Sequence, residues 1–212
     1  MLNKLTIEGF LNELASSAPV PGGGGAAALL TSIAAALNAM VYNLTLGKKA
    51  YEDLSEENKI KLEENLKKSE DIYKEALKYM DKDKEAFLEL IMSYKLSKDS
   101  VEKEKIRKEA IQCASKKCLN TPLELAKMSL KFYENIKFAM IYGNKNLISD
   151  AGVAAITLHA AIESSLLNVT INLSSIKDIK EKEILKEEIE RIRKVSVTNK
   201  EEISGYIYNY IN

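Results

Sequence analysis

Apolar residues recur every three or four positions along most of the chain, and no two-residue alternation persists anywhere. The period predicts helices from end to end. The first runs from about Thr6 to Ser16, with Ile7, Phe10, Leu11 and Leu14 as its stripe. The second is Ala-rich and ends near Gly47. A third, from about Ser55 to Met80, places Leu62, Leu66, Tyr73, Leu77 and Met80 on one face. Asp81-Lys82-Asp83 reads as a break or kink before a short fourth helix carrying Phe87, Leu90, Ile91 and Tyr94. Ser100 caps a fifth helix that reaches about Leu119. Thr121-Pro122-Leu123-Glu124 combines a cap, a proline at the first helical position and a carboxylate three residues after the cap, which predicts a new start.

That sixth helix is predicted to run to about Tyr142 and to stop at Gly143. Asn144–Ser149 reads as a loop, and Ser149 or Asp150 as the cap of a long seventh helix reaching about Leu173. An eighth spans roughly Asp178–Val195, with Ile184, Leu185, Ile189 and Ile192 inward, and Glu201–Tyr210 adds a short last one. No repeat or linker interrupts the pattern. It predicts an all-α fold, a single domain over residues 1–212 arranged as an antiparallel up-and-down bundle with long central helices.

Charge narrows the function. Lys+Arg and Asp+Glu both number 31, so the 212-residue chain is formally neutral and lacks the footprint of a nucleic-acid binder. The uncharged run Ala26–Leu46 is long enough to span a bilayer. It is dominated by Ala, however, and interrupted by Thr31, Ser32, Asn38, Asn43 and Thr45, which predicts a buried central helix and no membrane partner. The N-terminus enters an amphipathic pattern directly, so a cytoplasmic location is expected and the glycosylation triplets at Asn43, Asn168 and Asn172 are expected to stay unused. Cys113 and Cys118, five residues apart on a helix, point roughly 140° apart, so they read as packing residues.

Candidate chemistry gathers at three places. Gly22–Gly25 leave bare amides at the start of a long helix, where an anion or a developing oxyanion is favoured. No Gly-Lys-Ser/Thr follows, so this is not a nucleotide loop; close helix packing would use the same glycines. Asp81 and Asp83 stand at a helix junction, as caps or as proton-transfer groups. On the seventh helix, Asp150, Thr157, Ser165, Asn168 and Asn172 project to one side, and His159 and Glu163 to another. Asp150 and Asn168 are about 27 Å apart along that helix, so they serve opposite ends of a site or meet across two subunits. A single histidine, His159, does not build a common zinc centre, and no metal is expected.

Together these pieces resemble the cyclodeaminase/cyclohydrolase family. The resemblance rests on Pro-Val-Pro-Gly-Gly-Gly at 19–24 before an Ala-rich helix, Met40-Val41, Asn43-Leu44-Thr45, Gly47-Lys48-Lys49 and Tyr51. It continues through Asp83-x-x-Ala86-Phe87, Arg107 with Ala110-Ile111, Pro122-Leu123, Gly143-Asn144, Ser149-Asp150, Asn168-Val169 and Asn172-Leu173. The order is colinear over nearly the whole chain. The resemblance implies an all-helical homodimer acting on tetrahydrofolate derivatives at 5,10-methenyltetrahydrofolate, as cyclohydrolase or as cyclodeaminase, with no metal or redox cofactor. It implies Asp83 as general acid/base, with Asp81 in reserve, and Pro21, Gly22, Gly23, Gly24, Lys48, Lys49, Asn144, Asp150, Asn168 and Asn172 as substrate-binding positions. A non-catalytic helical folate-binding or scaffold protein is the alternative. One departure is Gly25, where the family usually has Ser.

Overall fold

The computed structural model describes residues 1–212. It contains helices and no strand: α1 (Ile7–Leu14), α2 (Gly23–Asn43), α3 (Lys49–Glu52), α4 (Glu56–Tyr94), α5 (Val101–Tyr142), α6 (Ile148–Asn172) and α7 (Ile179–Ile211), with 3-10 turns at Leu2–Lys4, Lys145–Leu147 and Leu173–Ser175. The all-α expectation is borne out.

Side-chain pairs give the directions of the long helices. Ser32 meets Tyr73 and Asn38 meets Ser69, so α2 and α4 run oppositely. Thr31 meets Ser129 and Asn38 meets Asn135, so α5 runs with α2. Tyr133 meets Ser196 and Lys137 meets Glu202, so α7 runs with α5, while Glu163 meets Arg193 and His159 meets Ser196, so α6 runs against both. Among the five long helices, each therefore reverses the one before it. The main core lies between α5, α6 and α7, around Leu119, Ile136, Leu158, Ile162, Leu166, Ile192 and Ile203. Each such side chain contributes about 1.5–3 kcal/mol by leaving water.

A second, polar core pins the register of α2, α4 and α5. Asn38 Nδ2 donates to Asn135 Oδ1 at 2.7 Å, Tyr42 Oη donates to the Asn135 carbonyl at 2.6 Å, and Asn135 Nδ2 donates to the Asn65 carbonyl at 2.9 Å. All four side chains are buried. Such a network fixes one alignment, because a slip of one residue leaves buried amides unpaired.

The structure corrects several boundaries. The third and fourth predicted helices are one, α4, since Asp81-Lys82-Asp83 does not break it. Asp81 accepts from the Leu2 amide at 2.7 Å, and Lys82 pairs with Glu75, so these charges are accommodated on a continuous helix. The fifth and sixth are likewise one, α5, with Pro122 inside it. The eighth and the terminal piece form α7, where Thr198 and Asn199 bond back to Lys194 and Val195, and Ile203 and Ile207 extend the buried stripe of Ile189 and Ile192. Helix α6 begins at Ile148 with Leu147 as its cap, two or three residues earlier than predicted. In the short α1 only Phe10 is buried; Ile7 and Leu11 face outward, as does Ile184 in α7.

Candidate active site

Helix α2 starts at Gly23 with Gly22 as its N-cap, and no side chain of that segment caps it. Its first turn therefore presents free amides and the positive end of the helix dipole. The partner comes from α4. A β-carbon on Gly24 would overlap the Asp83 carboxylate, so glycine here is what lets the acid sit against the helix end. Asp83 is half-buried. Burial pushes its carboxyl above the ordinary value of 3.8, while the Gly25 amide pulls it back down. A carboxylate whose neutral form is favoured by its surroundings, yet which keeps one amide donor for its charged form, is suited to pass a proton in either direction.

Two further walls complete the site. Helix α6 brings its C-terminal turn to the glycines: a β-carbon on Gly23 would lie 3.3 Å from Asn168 Nδ2 and 3.7 Å from Asn168 Oδ1. Asn168 Nδ2 donates to Ser164 O at 2.8 Å. The α5 wall carries Cys118, whose thiol burial pushes up to about 11, helped by the Asp83 charge nearby. Pro21 is buried beneath the loop, joined to Val20 by a cis peptide bond.

The structure thus gathers Pro21, Gly22, Gly23, Gly24, Asp83, Asn168 and Asn172 at one end of the bundle. It leaves Lys48, Lys49, Asn144 and Asp150 at the other, because α2 is 21 residues long, about 30 Å. There Asn144 donates its own amide to Thr45 Oγ1 at 2.8 Å and its side-chain amide to Leu44 O at 3.2 Å. Lys48 and Lys49 are exposed, and Asp150 is half-buried in the first turn of α6. Asp81 is not equivalent to Asp83, being engaged by the N-terminal segment. His159 bonds Ser196 Oγ through Nδ1 at 2.9 Å, in line with Tyr133, which accounts for it as a hydrogen-bonded packing residue. No three His, Cys, Asp or Glu side chains converge anywhere.

Sequence reasoning missed Cys118 as a neighbour of Asp83, and Pro122 as part of the same wall. The signal was a proline four residues after Cys118 within an unbroken apolar period. A groove of about 930 Å³ lies away from these residues, between α4 and α5 over Ile72, Met128, Phe132 and Phe138. Ile72 is eleven residues from Asp83, about 16 Å along α4.

An all-helical chain with a half-buried carboxylate set against a glycine-built helix terminus defines the class. The Formiminotransferase-cyclodeaminase profile matches residues 6–191. A methenyltetrahydrofolate cyclohydrolase of Methylorubrum extorquens is 36% identical over 84% of each chain. The formimidoyltransferase-cyclodeaminase of Mus musculus is 26% identical over 82% of this chain, which spans only 31% of that longer protein. The crystal structure of a formiminotetrahydrofolate cyclodeaminase from Thermotoga maritima superposes with a TM-score of 0.87 at 25% identity, covering 100% of both chains. The chain belongs to the formiminotransferase-cyclodeaminase family.

Proposed function

We propose that this chain is a folate one-carbon enzyme acting at 5,10-methenyltetrahydrofolate. The observation that carries this reading is Asp83, half-buried against the open amides of α2. In the hydrolytic direction water adds to the amidinium carbon and Asp83 takes the water's proton. Asp83 returns that proton to N5 as the bond from the carbon to N5 breaks, the new hydroxyl loses its proton to solvent to become the formyl carbonyl, and 10-formyltetrahydrofolate leaves. In the deaminating direction N10 of 5-formiminotetrahydrofolate attacks the formimino carbon, Asp83 protonates the departing nitrogen, and ammonia and methenyltetrahydrofolate form. Both need one proton-transfer group that tolerates an adjacent cation, and neither changes oxidation state. No metal or redox cofactor is required. Hydrolysis is the first reading, because the relative at 36% identity carries the cyclohydrolase name, against 25% identity to the cyclodeaminase of known structure.

The working unit in this reading is a homodimer of up-and-down bundles, cytoplasmic, without nucleic-acid or membrane partners. Two helices support it. Along α2 and at its C-cap, Ile33 and Leu44 are exposed beside half-buried Leu30, Leu37 and Met40; along α6, Val153, Ile156, Leu167 and Ile171 are exposed. These positions recur at helical spacing, and α2 carries no charge. Apolar surface of this extent marks an interface. Packing two copies head to tail across it brings the Lys48, Lys49, Asn144 and Asp150 end of one subunit over the Asp83 end of the other. That arrangement lets both groups touch one folate, the amides and Asn168 holding its reacting end and the lysines its glutamate carboxylates.

The test is absorbance of methenyltetrahydrofolate. Added methenyltetrahydrofolate should disappear faster with enzyme than in buffer. Supplied 5-formiminotetrahydrofolate should generate the same absorbance with ammonia if deamination is the activity. Neither change would favour the non-catalytic scaffold.

A further inference from the structure

Pro122 has no amide hydrogen, so the carbonyl four residues before it, that of Cys118, loses its helical donor. A replacement comes from another helix: Asn172 Nδ2, at the C-terminus of α6, donates to the Cys118 carbonyl at 3.1 Å. The same nitrogen donates to the Asn168 carbonyl at 2.8 Å. Both hydrogens of that amide are thereby engaged, and Cys118 and Asn168 stand on the two walls flanking the glycine amides. Cys118 lies beside Asp83 and Asn168 beside Gly23.

We infer that Asn172 is a positioning residue: it replaces the amide that Pro122 lacks and fastens the Cys118 turn of α5 to the Asn168 turn of α6, so that both walls face Asp83 and the α2 amides at fixed distance. The kinetic part of this inference rests on the proposed reaction; the structural part does not. A buried carbonyl without a donor is costly, and loosening either wall shifts the Cys118 and Asn168 turns relative to Asp83 and the α2 amides. The role differs from a substrate contact in one decisive respect, because it exists only while residue 122 lacks a donor.

The test is a double-mutant cycle of Asn172→Ala and Pro122→Ala, reading melting temperature, kcat and KM. Pro122→Ala restores the N–H that bonds the Cys118 carbonyl within α5. Asn172→Ala alone should lower the melting temperature and reduce kcat about tenfold with KM nearly unchanged, as for a lost hydrogen bond to a buried group. In the Pro122→Ala background the same substitution should cost clearly less in both readouts. Asn172→Asp, which keeps the oxygen and removes the donor, should behave like Asn172→Ala. Equal losses in both backgrounds, or a rise in KM at constant kcat, would overturn the inference in favour of direct substrate contact. So would a double variant that is as unfolded as Asn172→Ala alone. If the wild-type chain turned over neither folate, the proposed reaction would fail, and the melting cycle would still decide the role of Asn172.

Discussion

The Asp83 carboxylate occupies the space in front of Gly24 that any β-carbon there would need. One turn of α2 therefore makes two opposite predictions. Gly24→Ala forces the carboxylate aside and should destabilise by about 1–3 kcal/mol, as overpacking does, and should lower turnover with it. At Gly25 an added β-carbon meets Pro21 Cβ at 3.6 Å and Leu2 Cδ1 at 4.0 Å, ordinary contacts. Gly25→Ser, the residue usual in the family, should melt no lower than wild type. Thermal melting of the two variants side by side checks this; equal behaviour would remove the steric argument.

Asp81 is expected to be structural. Its carboxylate accepts from the Leu2 amide at 2.7 Å and so fastens the N-terminal segment to α4. Asp81→Ala should lose about 1 kcal/mol of stability, the usual net worth of a hydrogen bond, and keep near-normal turnover. A variant that melts normally but does not turn over would exchange the roles of the two acids.

The dimer prediction is checked by sedimentation and by mixing. The chain should sediment as a dimer at micromolar concentration. Asp83→Asn and a Lys48→Ala/Lys49→Ala variant, each impaired alone, should recover activity when unfolded and refolded together, since some hybrid sites then carry both intact ends. A monomer with full activity would show that the two groups of residues do not share one folate.

Stability should follow pH in a defined direction. Burial holds the Asp83 proton to a higher pH in the folded chain than in the unfolded one. Between the ordinary carboxylate value and the folded value the native state binds more protons, so this group's contribution to stability falls as pH rises through that window, then levels off. Asp83→Asn deletes the effect. The melting-temperature difference, variant minus wild type, should grow with pH across the window and stay constant above it. A difference that shrinks with rising pH would mean that the Gly25 amide outweighs burial.

How much of this was legible in the sequence differs by element. The stripes of α4 and α7 were readable because Leu62, Met80, Ile189 and Ile192 sit at helical spacing and are buried. The glycine terminus and Asp83 were singled out separately, one by its bare amides and one by its motif. That they touch was not readable, because it depends on α4 passing Asp81-Lys82-Asp83 without a break. Three neighbouring charges suggest solvent, yet Asp81 and Asp83 each find a backbone amide in another segment. Pro122 misled in the same way: Asn172, fifty residues later, makes its presence inside α5 tolerable. Asn38, Tyr42, Asn65 and Asn135 lay on apolar faces at helical spacing, and only the packed structure shows that they bond to one another.

The central claim is that Asp83 moves the proton at the one-carbon unit. Asp83→Asn keeps the shape and an oxygen facing the α2 amides but does not take up a proton, and Asn serves as well as Asp in capping a helix. The measurement is turnover of methenyltetrahydrofolate, or its formation from 5-formiminotetrahydrofolate, by wild type and Asp83→Asn at matched folded fraction. Turnover should fall by about 10²–10⁴-fold, the usual contribution of a general acid–base group, while folate binding largely survives. A folded Asp83→Asn enzyme with normal turnover would contradict the account.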